Sequence, residues 1–244
     1  MFRCPAAVQI AIYVCVVSLH STAAEATRGS LSCDFSRETS PLVTAQITNL
    51  DIEGAELKFP RDYIFSQPFE SGTERDALLL RADVKDFSSY PKAKSYFPDG
   101  RSKISAGIRD SMRILITSHL PMSAVLNNII ASKHKIFDYI QSGQIKVESK
   151  DTIHNLLVTS GYTADGWMKD DVFFQLDGDV VTDVIACSVE GQVPNPGCWH
   201  IFEAGAYDVK ISYNRSELPR WRELRDGAAE LLQCFTIKEP FQLP

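Results

Sequence analysis

The chain has little of what usually announces chemistry. None of its 244 residues falls into a Gly-x-Ser-x-Gly, a Gly-rich phosphate loop or a Gly-x-Gly-x-x-Gly pattern. That removes the nucleophile-elbow hydrolases and the two common nucleotide cradles. Histidine is scarce, with five in all, and none is spaced His-x-x-x-His, so no helical zinc site and no other metal site is expected. Basic residues are outnumbered, 25 against 31 acidic, for a net charge of −6. Nucleic-acid binding rests on Lys and Arg meeting phosphate, so nucleic acid is not an expected partner. No apolar run beyond Leu19 approaches the roughly 20 residues needed to cross a bilayer, so no stable membrane span is expected once the N-terminus is removed.

The N-terminus sets the compartment. Arg3 precedes an apolar run, Ala6 to Leu19, interrupted only by Gln9 and Ser18, and Ala24-Glu25-Ala26 follows. A positive start, a short apolar stretch and an A-x-A site make a cleavable export signal. Residues 1–26 are read as that signal, with cleavage near Ala26 and a periplasmic or secreted product. Arg3 and Glu25 cancel, so cleavage leaves the net charge at −6.

Cys4 and Cys15 leave with the signal, and Cys33, Cys187, Cys198 and Cys234 remain. An even number in an oxidising compartment suggests disulfides. Cys187 ends one expected strand and Cys198 begins the next, which brings them within bonding range on adjacent antiparallel strands. A loop this short would contribute about 3 kcal/mol in the chain-entropy model. Cys33 and Cys234 then either join the N-terminal arm to the last helix or stay as buried thiols.

Periodicity gives the fold class. In the C-terminal half, Val172 to Leu176 and Val180 to Cys187 flank Asp177-Gly178, a hairpin turn signal. Within the second run Val181, Asp183, Ile185 and Cys187 are expected on one face. Trp199 to Phe202 reads as a third strand. In Tyr207 to Tyr213, Tyr207, Val209, Ile211 and Tyr213 share a face, with Asp208, Lys210 and Ser212 opposite. Leu218, Trp221, Leu224, Ala228, Leu231, Leu232 and Phe235 then recur at helical spacing. Asn214 with Glu217 resembles a capping pair, and Pro219 suits a first helical turn. In the N-terminal half, Val43 to Ile47, Leu57 to Phe59, Leu78 to Val84 and Met112 to Thr117 read as strands, and Lys85 to Arg101 as a surface loop. A helix after Pro121 carries Met122, Val125, Leu126, Ile129, Ile130, Ile136, Phe137 and Ile140, with Gly143 at its end. The expected fold is α+β: antiparallel meanders, each packed by a helix. Two subdomains, 27–150 and 151–244, follow from it. Ser-x-Leu-Pro occurs before both helices, at Ser118 to Pro121 and Ser216 to Pro219; this reads either as tandem duplication or as coincidence.

No catalytic residue and no cofactor is assigned. Cys198-Trp199-His200 pairs a thiol with a possible base, but a disulfide-locked thiol is no nucleophile. Asn214-Arg215-Ser216 is a formal glycosylation sequon. The strongest feature is charge. Between Asp165 and Glu190 lie seven acidic residues, Asp165, Asp170, Asp171, Asp177, Asp179, Asp183 and Glu190, opposed only by Lys169. The stretch is either a solvated face or a docking surface for a basic protein. In the second reading Asp165, Asp170, Asp171, Asp177 and Asp179 bind the partner, with Trp167 and Trp199 as anchors. Trp221 belongs to the core.

Cys187, Cys198-Trp199-His200-Ile201-Phe202, Tyr213-Asn214-Arg215 and Leu218-Pro219-Arg220-Trp221-Arg222 together resemble a group of exported bacterial proteins often encoded beside type VI secretion effectors. Phe59-Pro60-Arg61-Asp62-Tyr63-Ile64 and Leu79-Leu80-Arg81-Ala82-Asp83-Val84 extend the likeness. Proteins so placed are similar to immunity proteins, which bind and block a toxin delivered to the periplasm. The resemblance implies a toxin-neutralising binding protein and carries over no catalytic residue. The alternatives are a periplasmic envelope hydrolase and an envelope accessory protein.

Overall fold

One strand pairing decides the architecture. Strand β5 (Ser111–Thr117) lies antiparallel beside β11 (Tyr207–Asn214), with Ile114 opposite Ile211 and Ile116 opposite Val209. The apolar faces of both strands are buried together, so β4 (Leu78–Asp83) and β5 from the first half of the chain join the C-terminal meander in one sheet. This computed structural model describes Cys33, Phe35 and residues 40–49, 52–65, 69–89, 110–117, 121–134, 152–160, 170–205, 207–238 and 241–242.

The large sheet has eight strands in the order β4-β5-β11-β10-β9-β8-β7-β6. Its remaining members are β6 (Thr152–Ile153), β7 (Leu156–Ser160), β8 (Asp170–Asp177), β9 (Val180–Ser188) and β10 (Gly197–Ala204), all paired antiparallel. The smaller sheet contains β1 (Leu42–Asn49), β2 (Ile52–Pro60), β3 (Thr73–Arg75), β12 (Thr236–Lys238) and β13 (Phe241–Gln242). In it β1 and β3 run parallel, a departure from the expected meander.

Two helices complete the described fold. Helix α1 (Met122–His134) packs on β9 and β8. Its Met122, Val125, Leu126 and Ile129 meet Val172, Phe174, Val184 and Ala186, which makes the outer face of the large sheet. Helix α2 (Trp221–Phe235) packs against the opposite, inner face and also contacts β2 and β12. The main core lies there, joining Leu57 and Phe59 of the small sheet, Ile114, Ile185 and Ile211 of the large one, and Leu224, Leu231 and Phe235 of the helix. The fold is therefore mostly β, with two sheets, and only partly the expected α+β scheme.

Two expectations are corrected. The boundary at 150/151 does not separate two sheets, because β5 needs a neighbour for its buried face and finds it in β11. Nor does each half carry its own helix. The N-terminal helix covers strands of the C-terminal half, on the face opposite α2, so the Ser-x-Leu-Pro match does not reflect two like-packed units. The export signal at 1–26, residues 90–101 of the expected Lys85 to Arg101 loop, and Ile136, Phe137, Ile140 and Gly143 lie outside the described residues.

Candidate functional site

The expected Cys187–Cys198 pairing occurs, and of the two alternatives left open for Cys33 and Cys234 the structure has the bridge. Cys187 and Cys198 sit directly opposite each other on β9 and β10 and are bonded, and Cys33 is bonded to Cys234 near the end of α2. The bridge between β9 and β10 closes the loop 188–197, and Arg215 braces both ends of it. The Arg215 backbone N–H donates to the Pro196 carbonyl at 2.9 Å. Its guanidinium donates to the Ser188 carbonyl at 2.8 Å and to the Asp171 carboxylate at 2.6 Å. Two polar bonds and a disulfide thus fix a loop whose Glu190, Pro194 and Asn195 are exposed.

The structure divides the acidic residues rather than gathering them. Asp170 and Asp171 begin β8, half-buried, next to Ser188 and Cys187 of β9. Asp177 and Asp179 are exposed at the hairpin tip at the other end of the same strand. Asp177 lies six steps of extended chain beyond Asp171, about 20 Å away. Glu190 stands with the first group, on the disulfide-closed loop. Trp199 lies half-buried on the outer face, where it packs against the α1 cluster and Lys210 sits 4.8 Å from its ring centroid. Asp165 and Trp167 lie outside the described residues.

Asp183 is not a surface residue at all. It is fully buried, and so is His200. The register between β8 and β9 slips near Gln175 and Leu176, so Gln175 faces Asp183 but Leu176 faces Val181. Thr182 is the extra residue of this bulge. The slip moves Val181 to the outer-face cluster while Asp183 keeps company with Ile185 and Cys187, which corrects the expected four-residue face. Bulges commonly re-aim a side chain in this way.

Around Asp183 three elements converge. His200 Nε2 of β10 lies 2.8 Å from Asp183 Oδ1, the Thr182 hydroxyl donates to Oδ2 at 2.9 Å, and Arg225 of α2 donates to Oδ2 at 3.1 Å. Burial works to raise the Asp183 carboxyl, but His200, Arg225 and Thr182 outweigh it and hold it below its ordinary value. Burial pushes the His200 imidazole down, against the pull of Asp183. A neutral histidine donating through Nε2 to an ionised aspartate fits both directions. His200 Nδ1 and the Tyr213 hydroxyl are buried without a hydrogen-bond partner among the described residues. The Tyr213 hydroxyl is pushed up by burial, chiefly. The rings of Phe202, Tyr213 and Trp221 surround the imidazole. With neither His200 nor Asp183 reaching the surface, this group ties α2 to the sheet; it does not present a base to a substrate.

Sequence reasoning placed His200 beside a thiol and Asp183 in an acidic face, and missed their pairing. The signal available was their places on neighbouring strands. Asn214 is also buried, and its side-chain oxygen accepts from the Ser216 N–H at 3.0 Å. It caps the short 3-10 turn Arg215–Arg220, which contains Pro219. The sequon amide is thus engaged in structure.

No family model and no curated protein sequence matches the chain. Among solved structures it is similar to Smlt3025, an immunity protein of the Stenotrophomonas maltophilia type IV secretion system. The match has a TM-score of 0.52 at 14% identity and covers 80% of this chain and 95% of that one. It also aligns with the Neisseria meningitidis iron-regulated outer membrane lipoprotein FrpD, with a TM-score of 0.44 at 10% identity over 81% of this chain and 93% of that one. This chain thus shares an overall fold with Smlt3025 along nearly all of that protein's length.

Proposed function

We propose that this chain is an immunity protein, acting outside the cytoplasm by binding and blocking a secreted antibacterial toxin. The observation that carries the reading is the fold shared with Smlt3025 over 80% of the chain. The two disulfides fit an oxidising compartment, and the N-terminal signal pattern fits export. The C-terminal motif resembles proteins encoded beside type VI effectors, and delivery of the toxin by such a system is part of the proposal.

The docking surface is the end of the large sheet where the braced loop 188–197 meets Asp170 and Asp171. Asp165, Trp167 and Trp199 belong to the same proposed contact, and Asp177 and Asp179 engage only a partner that reaches the far end of β8. Acidic side chains on a rigid loop suit a basic partner surface, and a preorganised loop loses less entropy on binding.

The test is protection. The gene product encoded beside this chain is exported to the periplasm of a susceptible bacterium, with and without this chain. Restored growth with the full-length chain, and none when its leader is deleted, is the expected result. Killing that continues unchanged refutes the reading. Paired substitutions then locate the contact: Asp170→Ser with Glu190→Ser should slow association and reduce its salt dependence, and Asp177→Ser with Asp179→Ser should have the smaller effect.

A further inference from the structure

Asp170 and Asp171 are neighbours in the chain but not on the sheet. Successive side chains of a strand point to opposite faces. Asp170 alternates with Val172 and Phe174, which belong to the outer cluster under α1, while Asp171 alternates with Phe173 of the main core. Asp171 therefore stands on the inner face, opposite Cys187. There it meets Arg215, whose guanidinium lies 2.6 Å from its carboxylate; the two side chains are 23% and 14% exposed. The same guanidinium lies 5.8 Å from the Phe173 ring centroid and donates to the Ser188 carbonyl. A guanidinium fork held on one side by a carboxylate is oriented to give its other N–H groups to the loop. Asp171 thus fixes Arg215, and Arg215 fixes the two ends of the loop 188–197. An incoming cation would first have to displace that guanidinium before it could reach Asp171.

Glu190 is placed in the opposite way. The Gln192 N–H donates to the Val189 carbonyl at 3.3 Å, which closes a turn from Val189 to Gln192. Gly191 takes φ 81°, as the third position of a type II turn requires. Glu190 fills the second position, at the corner of the turn. It is exposed and forms no ion pair among the described residues. A tight turn, a disulfide and an arginine brace together hold one unpaired carboxylate out from the end of the sheet.

We propose that Asp171 is a positioning residue of this site and Glu190 its recognition carboxylate: Asp171 holds Arg215, Arg215 holds the loop, and the loop presents Glu190 to a cation of the partner. The role of Glu190 rests on the toxin-binding reading; the role of Asp171 is a property of the free chain and does not.

Two measurements test the two roles. The first is amide hydrogen exchange at Gln192 and position 215 of the free exported chain, run as a double-mutant cycle. Asp171→Asn and Arg215→Gln should each accelerate exchange about two- to fivefold, the range of a partly exposed ion pair, with the amides of α2 at wild-type rates. The double variant should be no faster than the quicker single one, because both changes break the same link, and Asp171→Glu should restore slow exchange. Rates that multiply in the double variant, acceleration that extends to α2, or an Asp171→Asn chain that exchanges like the wild type overturns the positioning role. The second is association with the toxin encoded beside this chain, followed at several salt concentrations. The double variant loses one charge of each sign, so it should keep the wild-type salt dependence of association and dissociate faster. Glu190→Gln should slow association and flatten its salt dependence. A flattened dependence in the double variant makes Asp171 a contact, and an unaffected Glu190→Gln removes Glu190 from the interface; either overturns the assignment. A wild-type chain that binds no toxin sinks the immunity reading and leaves the exchange cycle standing, so the two fail separately.

Discussion

At the scale of single residues, Gly227 and Phe87 act as one unit. Phe87 takes a left-handed backbone, φ 59°, rare for a bulky residue, and its carbonyl accepts from the Tyr63 hydroxyl at 3.0 Å. Its buried ring occupies the space where a Cβ on Gly227 of α2 would stand. Glycine costs an average helix about 1 kcal/mol relative to alanine, but overpacking a filled core costs about 1–3 kcal/mol. Gly227→Ala is therefore expected to lower the urea midpoint. In a Phe87→Ala background the same change should become neutral or stabilising; a loss of equal size in both backgrounds would show that the ring is not the obstacle. His200 and Asp183 carry the pH dependence. Both have folded pKa values below their ordinary ones, so the unfolded chain takes up these protons first and stability falls with acid. The histidine limb is complete above about pH 6.5, its unfolded value, and is lost below it; the aspartate limb follows under about pH 4. His200→Gln keeps an N–H for Asp183 but cannot titrate. Stability-against-pH curves of this variant should lose the upper limb and keep the lower. Asp183→Ala leaves the buried His200 Nε2–H without its acceptor, while Arg225 keeps its pair with Asp226, and should cost about 1–3 kcal/mol.

At the scale of elements, the loop 188–197 is held twice. The disulfide joins its ends covalently, and Arg215 ties the same ends through the Pro196, Ser188 and Cys187 carbonyls. Such overlap makes each restraint dispensable alone and the pair indispensable. Arg215→Ala and the Cys187→Ser/Cys198→Ser variant should each accelerate hydrogen exchange at the amides of Gln192 and position 215 modestly. The triple variant should accelerate it by more than the product of the two effects. Simple multiplication would mean that the restraints act on separate parts of the loop. The disulfide variant should also lose about 3 kcal/mol of stability.

At the scale of the whole molecule, the two halves are parts of one fold. The β5–β11 pairing and the seat of α1 on β8 and β9 both cross the midpoint of the chain. Cys33–Cys234 spans 201 residues and adds about 5 kcal/mol in the chain-entropy model. Fragments 27–150 and 151–244 expressed separately should lack cooperative unfolding, because each leaves an open sheet edge and an uncovered apolar face. Mixing them should restore a cooperative transition. Two independently folded fragments would instead establish the division into subdomains.

Sequence alone determined the local structure. The alternation in Tyr207 to Tyr213, the Asp177-Gly178 turn and the helical spacing from Trp221 to Phe235 all have counterparts in the fold. So did the cysteine pairing across β9 and β10, since one short loop fixed it. These signals are local: period, turn chemistry and short spacing act within a few residues of chain. What only the tertiary structure decided is which strand lies beside which, and where each face points. Alternation tells that β5 and β11 each bury a face, but not that they bury it together. A one-residue bulge at Thr182 turned an apparent surface aspartate into a core ion held by Arg225 and His200. Extended chain carried Asp171 and Asp177, neighbours in sequence, to opposite ends of the sheet. Arg81 and Arg113, 32 positions apart, were brought face to face by β-pairing alone, because cross-strand register is set by the burial of whole faces and not by the residues that ride on the other side.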